Sequence, residues 1–271
     1  MKVHANGIDI HYTIAGSGPW LTLSHSLACD SSMWDPQMSA LTQHFTVLRF
    51  DTRGHGQSSA PQESAVYSWD HLSGDVLGLL DALGIQRTHF AGLSMGGMIG
   101  QQLALRAPER VAHLVLADTS SRYPAAAIPI WDERIKLVRE KGMGVLVDST
   151  LERWFTAPFR AAHPEVTERI AGLIRTTPAD GYIGCGRTIP TLDITRRLRG
   201  LTIPTLVIVG LDDAGTPPAM AREIAEAIPG ARLETIPEAA HLSNVEQPEI
   251  FNRLVVEFLV PAIGSRVLSA V

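Results

Sequence analysis

The sequence holds only two cysteines, Cys29 and Cys185, far apart in the chain. That number excludes a disulfide framework and a cysteine-based metal cluster. Long apolar runs are also missing. No stretch approaches the eighteen or so residues a membrane span requires, and the N-terminal MKVHANGIDIHYTIAGSG passes into a strand-like alternation without an apolar core of signal-peptide length. Nor is there an excess of basic residues: the net charge is −5, which gives no electrostatic footprint for nucleic acid or an anionic membrane. Internal repeats and low-complexity segments are absent. The expectation is a cytoplasmic protein, a monomer or small homo-oligomer, with no membrane or nucleic-acid partner. At 271 residues, 45% hydrophobic and 19% charged, the chain fits one large α/β domain or a core domain carrying an insert.

Periodicity supports the second arrangement. Ile8, Ile10, Tyr12 and Ile14 alternate with polar residues, and Gly16-Ser-Gly-Pro19 then leads into Trp20-Leu-Thr-Leu-Ser24, which reads as an antiparallel hairpin. Asp35-Pro36 marks a helix start, with Asp35 as N-cap and Pro36 in the first turn. Phe45 to Phe50 reads as a buried strand that empties into the glycine-rich Asp51-Thr-Arg-Gly-His-Gly56. A helix follows Ser68, with apolar positions at 72, 76, 79, 80 and 83. Val111 to Ala117 is a continuous apolar run but for His113, as in a strand covered on both faces. From about 120 to 199 the pattern is helical only. Strand and helix alternation then resumes with Pro204 to Gly210, Pro217 to Ile228, Arg232 to Ile236 and Pro248 to Val260. A parallel α/β core over 1–119 and 200–271, with a helical cap over 120–199 above the strand C-termini, is therefore expected.

The chemistry centres on Gly92-Leu93-Ser94-Met95-Gly96, between the short apolar run Thr88 to Leu93 and the helical pattern Met95 to Arg106. A G-x-S-x-G pentapeptide between a strand and a helix is a nucleophile elbow. A serine hydroxyl needs a base, and the base an acidic partner that fixes its tautomer. On such a sheet the order is serine, acid, histidine. His241, after the last strand, is the only histidine beyond His163 and takes the place of the base; His25 and His55 also lie in loops on the active face. Asp212 and Asp213 both follow the strand ending at Gly210, and order alone does not choose between them. An oxyanion hole needs two donors: the Met95 amide, and one from Ser24-His-Ser-Leu-Ala-Cys29, with Leu27 favoured.

These features resemble the α/β-hydrolase superfamily over the whole chain. Met33-Trp-Asp-Pro-Gln37, Arg49-Phe-Asp-Thr-Arg-Gly-His-Gly56, Gly92-Leu-Ser-Met-Gly-Gly97, Arg153-Trp-Phe155, Gly181-Tyr-Ile-Gly-Cys185, Pro204-Thr-Leu-Val-Ile-Val-Gly210 and Ala240-His-Leu-Ser-Asn-Val-Glu-Gln-Pro248 resemble the 3-oxoadipate enol-lactonases in particular. The resemblance implies a mostly parallel eight-stranded sheet flanked by helices, Asp213 as the acid, and no cofactor or metal. It also implies a small lactone substrate, opened by Ser94 through an acyl-enzyme in a pathway of aromatic degradation. Two departures stand in the oxyanion loop: His25-Ser26 where relatives usually carry His-Gly, and Ala28 where enol-lactonases usually have glycine. Trp34, Trp131, Trp154, Phe155 and Tyr182 are the expected pocket aromatics. Arg53, Arg122, Arg134 and Arg187 are the candidates for binding the free carboxylate of such a lactone. The alternatives are a broad carboxylesterase or aryl esterase with perhydrolase side activity and, from another class, a non-catalytic ligand-binding receptor.

Overall fold

The computed structural model describes residues 1–62 and 66–260. Among these, eight strands form one sheet in the order β1-β2-β4-β3-β5-β6-β7-β8. The strands are β1 (Lys2–Ala5), β2 (Ile8–Gly16), β3 (Trp20–Ser24), β4 (Thr46–Phe50), β5 (Thr88–Leu93), β6 (Val111–Ala117), β7 (Thr205–Gly210) and β8 (Arg232–Ile236). From β4 onward along this order every pairing is parallel. The central strands β5 and β7 are buried at every position, as in strands covered on both faces of a parallel sheet.

The expected hairpin of Ile8–Ile14 with Trp20–Ser24 is not formed. β4 lies between the two strands, antiparallel to β2 and parallel to β3. The physical reason is that β3 is a core strand and needs a partner along both edges, and β4 and β5 supply them. The glycine-rich turn carries the chain past the end of β4 instead. The actual hairpin is β1 with β2, turned at Asn6-Gly7, both at positive φ, the geometry of a tight two-residue hairpin turn.

Helices cover both faces. The first are α1 (Asp35–Leu41), α2 (Trp69–Ala82) and α3 (Met95–Arg106). Asp35 is not the cap of α1: a 3₁₀ turn, Ser31–Trp34, runs directly into the helix, so the cap is displaced to Asp30, whose side chain accepts from Ser32 N–H. Asp35 instead pairs with Arg49. Between β6 and β7 come α4 (Ile128–Lys141), α5 (Val147–Trp154), α6 (Ala157–Ala162), α7 (Pro164–Thr176), α8 (Ala179–Thr188) and α9 (Thr195–Leu198). Among the described residues the only strand-like pairing in this stretch is an isolated bridge between Arg122 and Asp193. The chain finishes with α10 (Pro218–Ala227), α11 (Ser243–Glu246) and α12 (Pro248–Leu259). α3 packs on one sheet face, where Phe90 closes over Gly100. On the other face Phe258 of α12 meets the His113 ring at 5.7 Å, and α1 packs against α12. Residues of the loops that follow β3, β5, β7 and β8, and residues of α4, α5, α7 and α8, border one cavity.

Candidate active site

Ser94 stands between β5 and α3 with φ 56 and ψ −117, a conformation a non-glycine residue holds only when its surroundings impose it. Its N–H donates to Ala117 O, and its carbonyl accepts from Met98 N–H and the Thr119 hydroxyl. The flanking glycines are required by closeness. A Cβ on Gly92 would lie 2.1 Å from Gly96 O, and one on Gly96 would lie 2.1 Å from Ser24 O. No other side chain fits either place.

Three loops converge on this turn. His241 Nε2 is 2.9 Å from Ser94 Oγ, and its Nδ1 is 2.8 Å from Asp213 Oδ2. Asp213 in turn accepts from Gly215 N–H, Thr216 N–H and the Thr216 hydroxyl. Asp212 is exposed and its N–H is used by Ala239 O, so the structure brings Asp213 to the histidine and not its neighbour. Burial pushes the Asp213 carboxyl up, but the positive charge and hydrogen bond of His241, with the Thr216 donors, outweigh it and hold the group below the usual carboxylate range. Burial likewise pushes His241 down, and Asp213, with a smaller contribution from Asp118, brings it above the ordinary histidine value. The arrangement can take a proton from Ser94 Oγ and stabilise the resulting imidazolium.

Sequence reasoning missed Asp118, Thr216 and Glu246. Asp118 directly follows β6 at φ 44, is fully buried, accepts from Gly210 N–H and from the Ser243 hydroxyl, and so joins the end of β7, where the Asp213 turn begins, to the loop that carries His241. Burial and the nearby Asp213 charge raise it to about 8. Glu246 accepts from Ala240 N–H with one oxygen and from Thr156 with the other, and Leu242 N–H donates to Trp154 O. The His241 loop is thereby tied to the end of α5. Single buried polar residues carry no periodic signature; the only signal was the motif around His241, which contains Glu246.

A cavity of about 220 Å³ opens on Ser94 and His241. Leu27, Trp131, Trp154 and Tyr182 line it, with Trp154 lying 6.1 Å from the His241 ring. Met95 is completely buried directly behind Ser94; as the first residue of α3 its N–H has no acceptor within the helix. Trp34 and Phe155 do not reach the cavity. Trp34 is buried against Phe251, and Phe155 stacks on Phe159, because the cores under α12 and under α6 each need a large side chain there. Of the four arginine candidates, Arg53 is consumed by a buried bidentate pair with Asp75, Arg122 pairs with Glu223, and Arg187 is exposed. Arg134 lies on the cavity wall, together with Arg153, which was not among the candidates. Arg153 follows Thr150 by three residues on α5, donates to its hydroxyl at 3.2 Å, and flanks the buried stripe of Val147, Thr150 and Trp154. Burial, and then repulsion from Arg134, lower it to about 10.

The loop after β3 is held from behind by His25. Thr52 N–H donates to His25 Nε2 at 2.9 Å, so the ring proton is on Nδ1, which donates to Ser26 O at 2.7 Å. Burial lowers the His25 pKa and keeps the ring neutral. Ala28 has φ 59, the left-handed region that favours glycine.

Comparison with known proteins agrees with this fold. A family model described as the alpha/beta hydrolase fold matches residues 19–248. The chain is 37% identical over 253 residues to 3-oxoadipate enol-lactonase 2 of Acinetobacter baylyi, covering 93% of both chains. Among solved structures, the enol-lactonase from Burkholderia xenovorans LB400 superposes with a TM-score of 0.92 at 41% identity, over 96% of this chain and 100% of that one. A thermophilic esterase from Thermogutta terrifontis, solved with malate bound, gives 0.91 at 30% identity, over 96% and 98%. The chain belongs to the alpha/beta hydrolase fold family. Within it, the protein is an ester-hydrolysing enzyme.

Proposed function

We propose that the protein opens a small, carboxylate-bearing lactone, 3-oxoadipate enol-lactone, through an acyl-enzyme on Ser94. One observation carries the choice over a general esterase: Arg134 and Arg153 stand on the wall of the same small cavity as Ser94 and His241. Among the described residues neither arginine is in an ion pair. The two guanidinium groups repel each other, the Glu152 charge offsets this only in small part, and an anionic ligand relieves the repulsion. At about 220 Å³ the cavity is at or below the low end of ligand pockets and suits a molecule of this size. The names of the Acinetobacter and Burkholderia relatives point the same way.

In the proposed reaction His241 takes the Ser94 proton as Oγ attacks the lactone carbonyl. The Met95 and Leu27 amides hold the oxyanion, and Asp213 supports the imidazolium. Collapse breaks the ring C–O bond and releases an enolate, which takes up a proton and ketonises within the tethered acyl group. His241 then activates water, which displaces Ser94 and frees the acid. The helices of residues 120–199 act as a cap whose side chains select the acyl group. The test compares kcat/KM for the enol-lactone with that for a short neutral p-nitrophenyl ester. A higher value for the lactone is expected, and selectivity for the neutral ester would overturn the assignment in favour of a carboxylesterase.

A further inference from the structure

Resting on the serine-nucleophile reading above, we infer that the Ser26 hydroxyl is a third donor to the oxyanion, beside the Leu27 and Met95 amides. Ser26 is buried and lines the cavity together with Ser94, Leu27 and His241. Its Oγ has no hydrogen-bond partner in the protein. Of the buried side-chain oxygens and nitrogens without partners among the described residues, it alone belongs to a residue on that cavity wall.

A buried hydroxyl left unpaired costs on the order of 1–3 kcal/mol, and unlike Ser24 Oγ and Thr52 Oγ1, which are also unpaired, that of Ser26 belongs to a residue a bound molecule would meet. The rest of the loop gives it no alternative. The Ser26 carbonyl already accepts from His25 Nδ1 and from Cys29 N–H. His25 is locked by Thr52 N–H on its other nitrogen, and Ala28 holds the following turn in a left-handed conformation. The backbone cannot swing to pair the hydroxyl, and the side chain has one small rotor to aim. What forms in the cavity and lacks donors is the oxyanion of the tetrahedral intermediate. A donor preorganised for charge that appears only during reaction stabilises the transition state more than the bound substrate.

The experiment uses the full chain, with Ser26→Ala as the variant and a trifluoromethyl ketone as probe, since its adduct with a serine carries a tetrahedral oxyanion. Ser26→Ala is expected to lower kcat about 10- to 100-fold, below the effect of an amide donor because two donors remain. KM should stay within about twofold, the ketone should bind more weakly by the same factor as kcat falls, and the Tm should not fall. An unchanged kcat, a rise in KM alone, or unchanged ketone affinity would each overturn the inference. Should the variant not fold, a crystal structure of the wild-type ketone adduct decides: Oγ of Ser26 within about 3.2 Å of the oxyanion supports it, and a longer separation refutes it. Ser94→Ala separates the two claims. If that variant keeps turning over, the nucleophile reading itself has failed; if it is inactive while Ser26→Ala is fully active, only the third donor has failed.

Discussion

Replacing Asp118 with Asn should change the pH dependence of stability in a direction fixed by the structure. Asp118 is fully buried, and its carboxyl lies near the Asp213 charge. Burial first, and then that charge, raise it to about 8 from the 3.8 of an ordinary aspartate. Between those two values the folded chain holds a proton that the unfolded chain has released. Stability contributed by this group is therefore full below the unfolded value and falls as pH rises toward 8, by at most about 1.4 kcal/mol per unit. Asn keeps the shape, accepts from Gly210 N–H, donates to the Ser243 hydroxyl and tolerates the left-handed backbone at φ 44. It has no proton to lose. Urea unfolding of the two proteins at about pH 5 and about pH 7.5 should show the variant gaining on the wild type by up to about 3 kcal/mol between them. Groups remote from Asp118 cancel in the difference, while Asp213 and His241, which interact with Asp118, shift with it and are part of the measured change. A difference that stays flat, or moves toward the wild type as pH rises, would refute the account of Asp118 as a proton-bearing carboxyl.

The remaining predictions separate pocket from core. Arg153→Met should raise KM for the carboxylate-bearing lactone by about 10- to 100-fold, the loss of a charged contact worth on the order of 2 kcal/mol, while a neutral ester changes only a few-fold; steady-state kinetics with both substrates checks this. Trp34→Ala should lower the unfolding free energy by about 3–5 kcal/mol through the cavity it leaves beside Phe251. KM of the folded fraction should stay within about twofold, and a selective rise in KM would return Trp34 to the pocket.

How much of the fold and site is legible in the sequence depends on whether a signal is local. The turn at Ser94 was readable because two glycines, an apolar strand before them and a helical pattern after them all lie within one short segment. Chain order was enough to bring His241 to it, and the family resemblance chose Asp213, which reaches His241 Nδ1 while Asp212 faces solvent. The pairing of β2 was not readable. Gly16-Ser-Gly-Pro19 has the composition of a hairpin turn, and nothing nearby records that β4 enters between its two arms. Trp34 and Phe155 were misplaced for a related reason: an aromatic side chain is equally suited to a pocket wall and to a core, and only packing decides. Arg153 was missed because one arginine among 23 Lys and Arg residues stands out only when the helix face it flanks is known.

The central claim is that Ser94 becomes acylated during turnover. Wild-type protein quenched in acid while hydrolysing a short p-nitrophenyl ester should carry one acyl group on the peptide containing Ser94, seen by mass spectrometry, and Ser94→Ala should show neither the adduct nor catalysed turnover. An adduct at another residue, or near wild-type turnover by Ser94→Ala, would contradict the account.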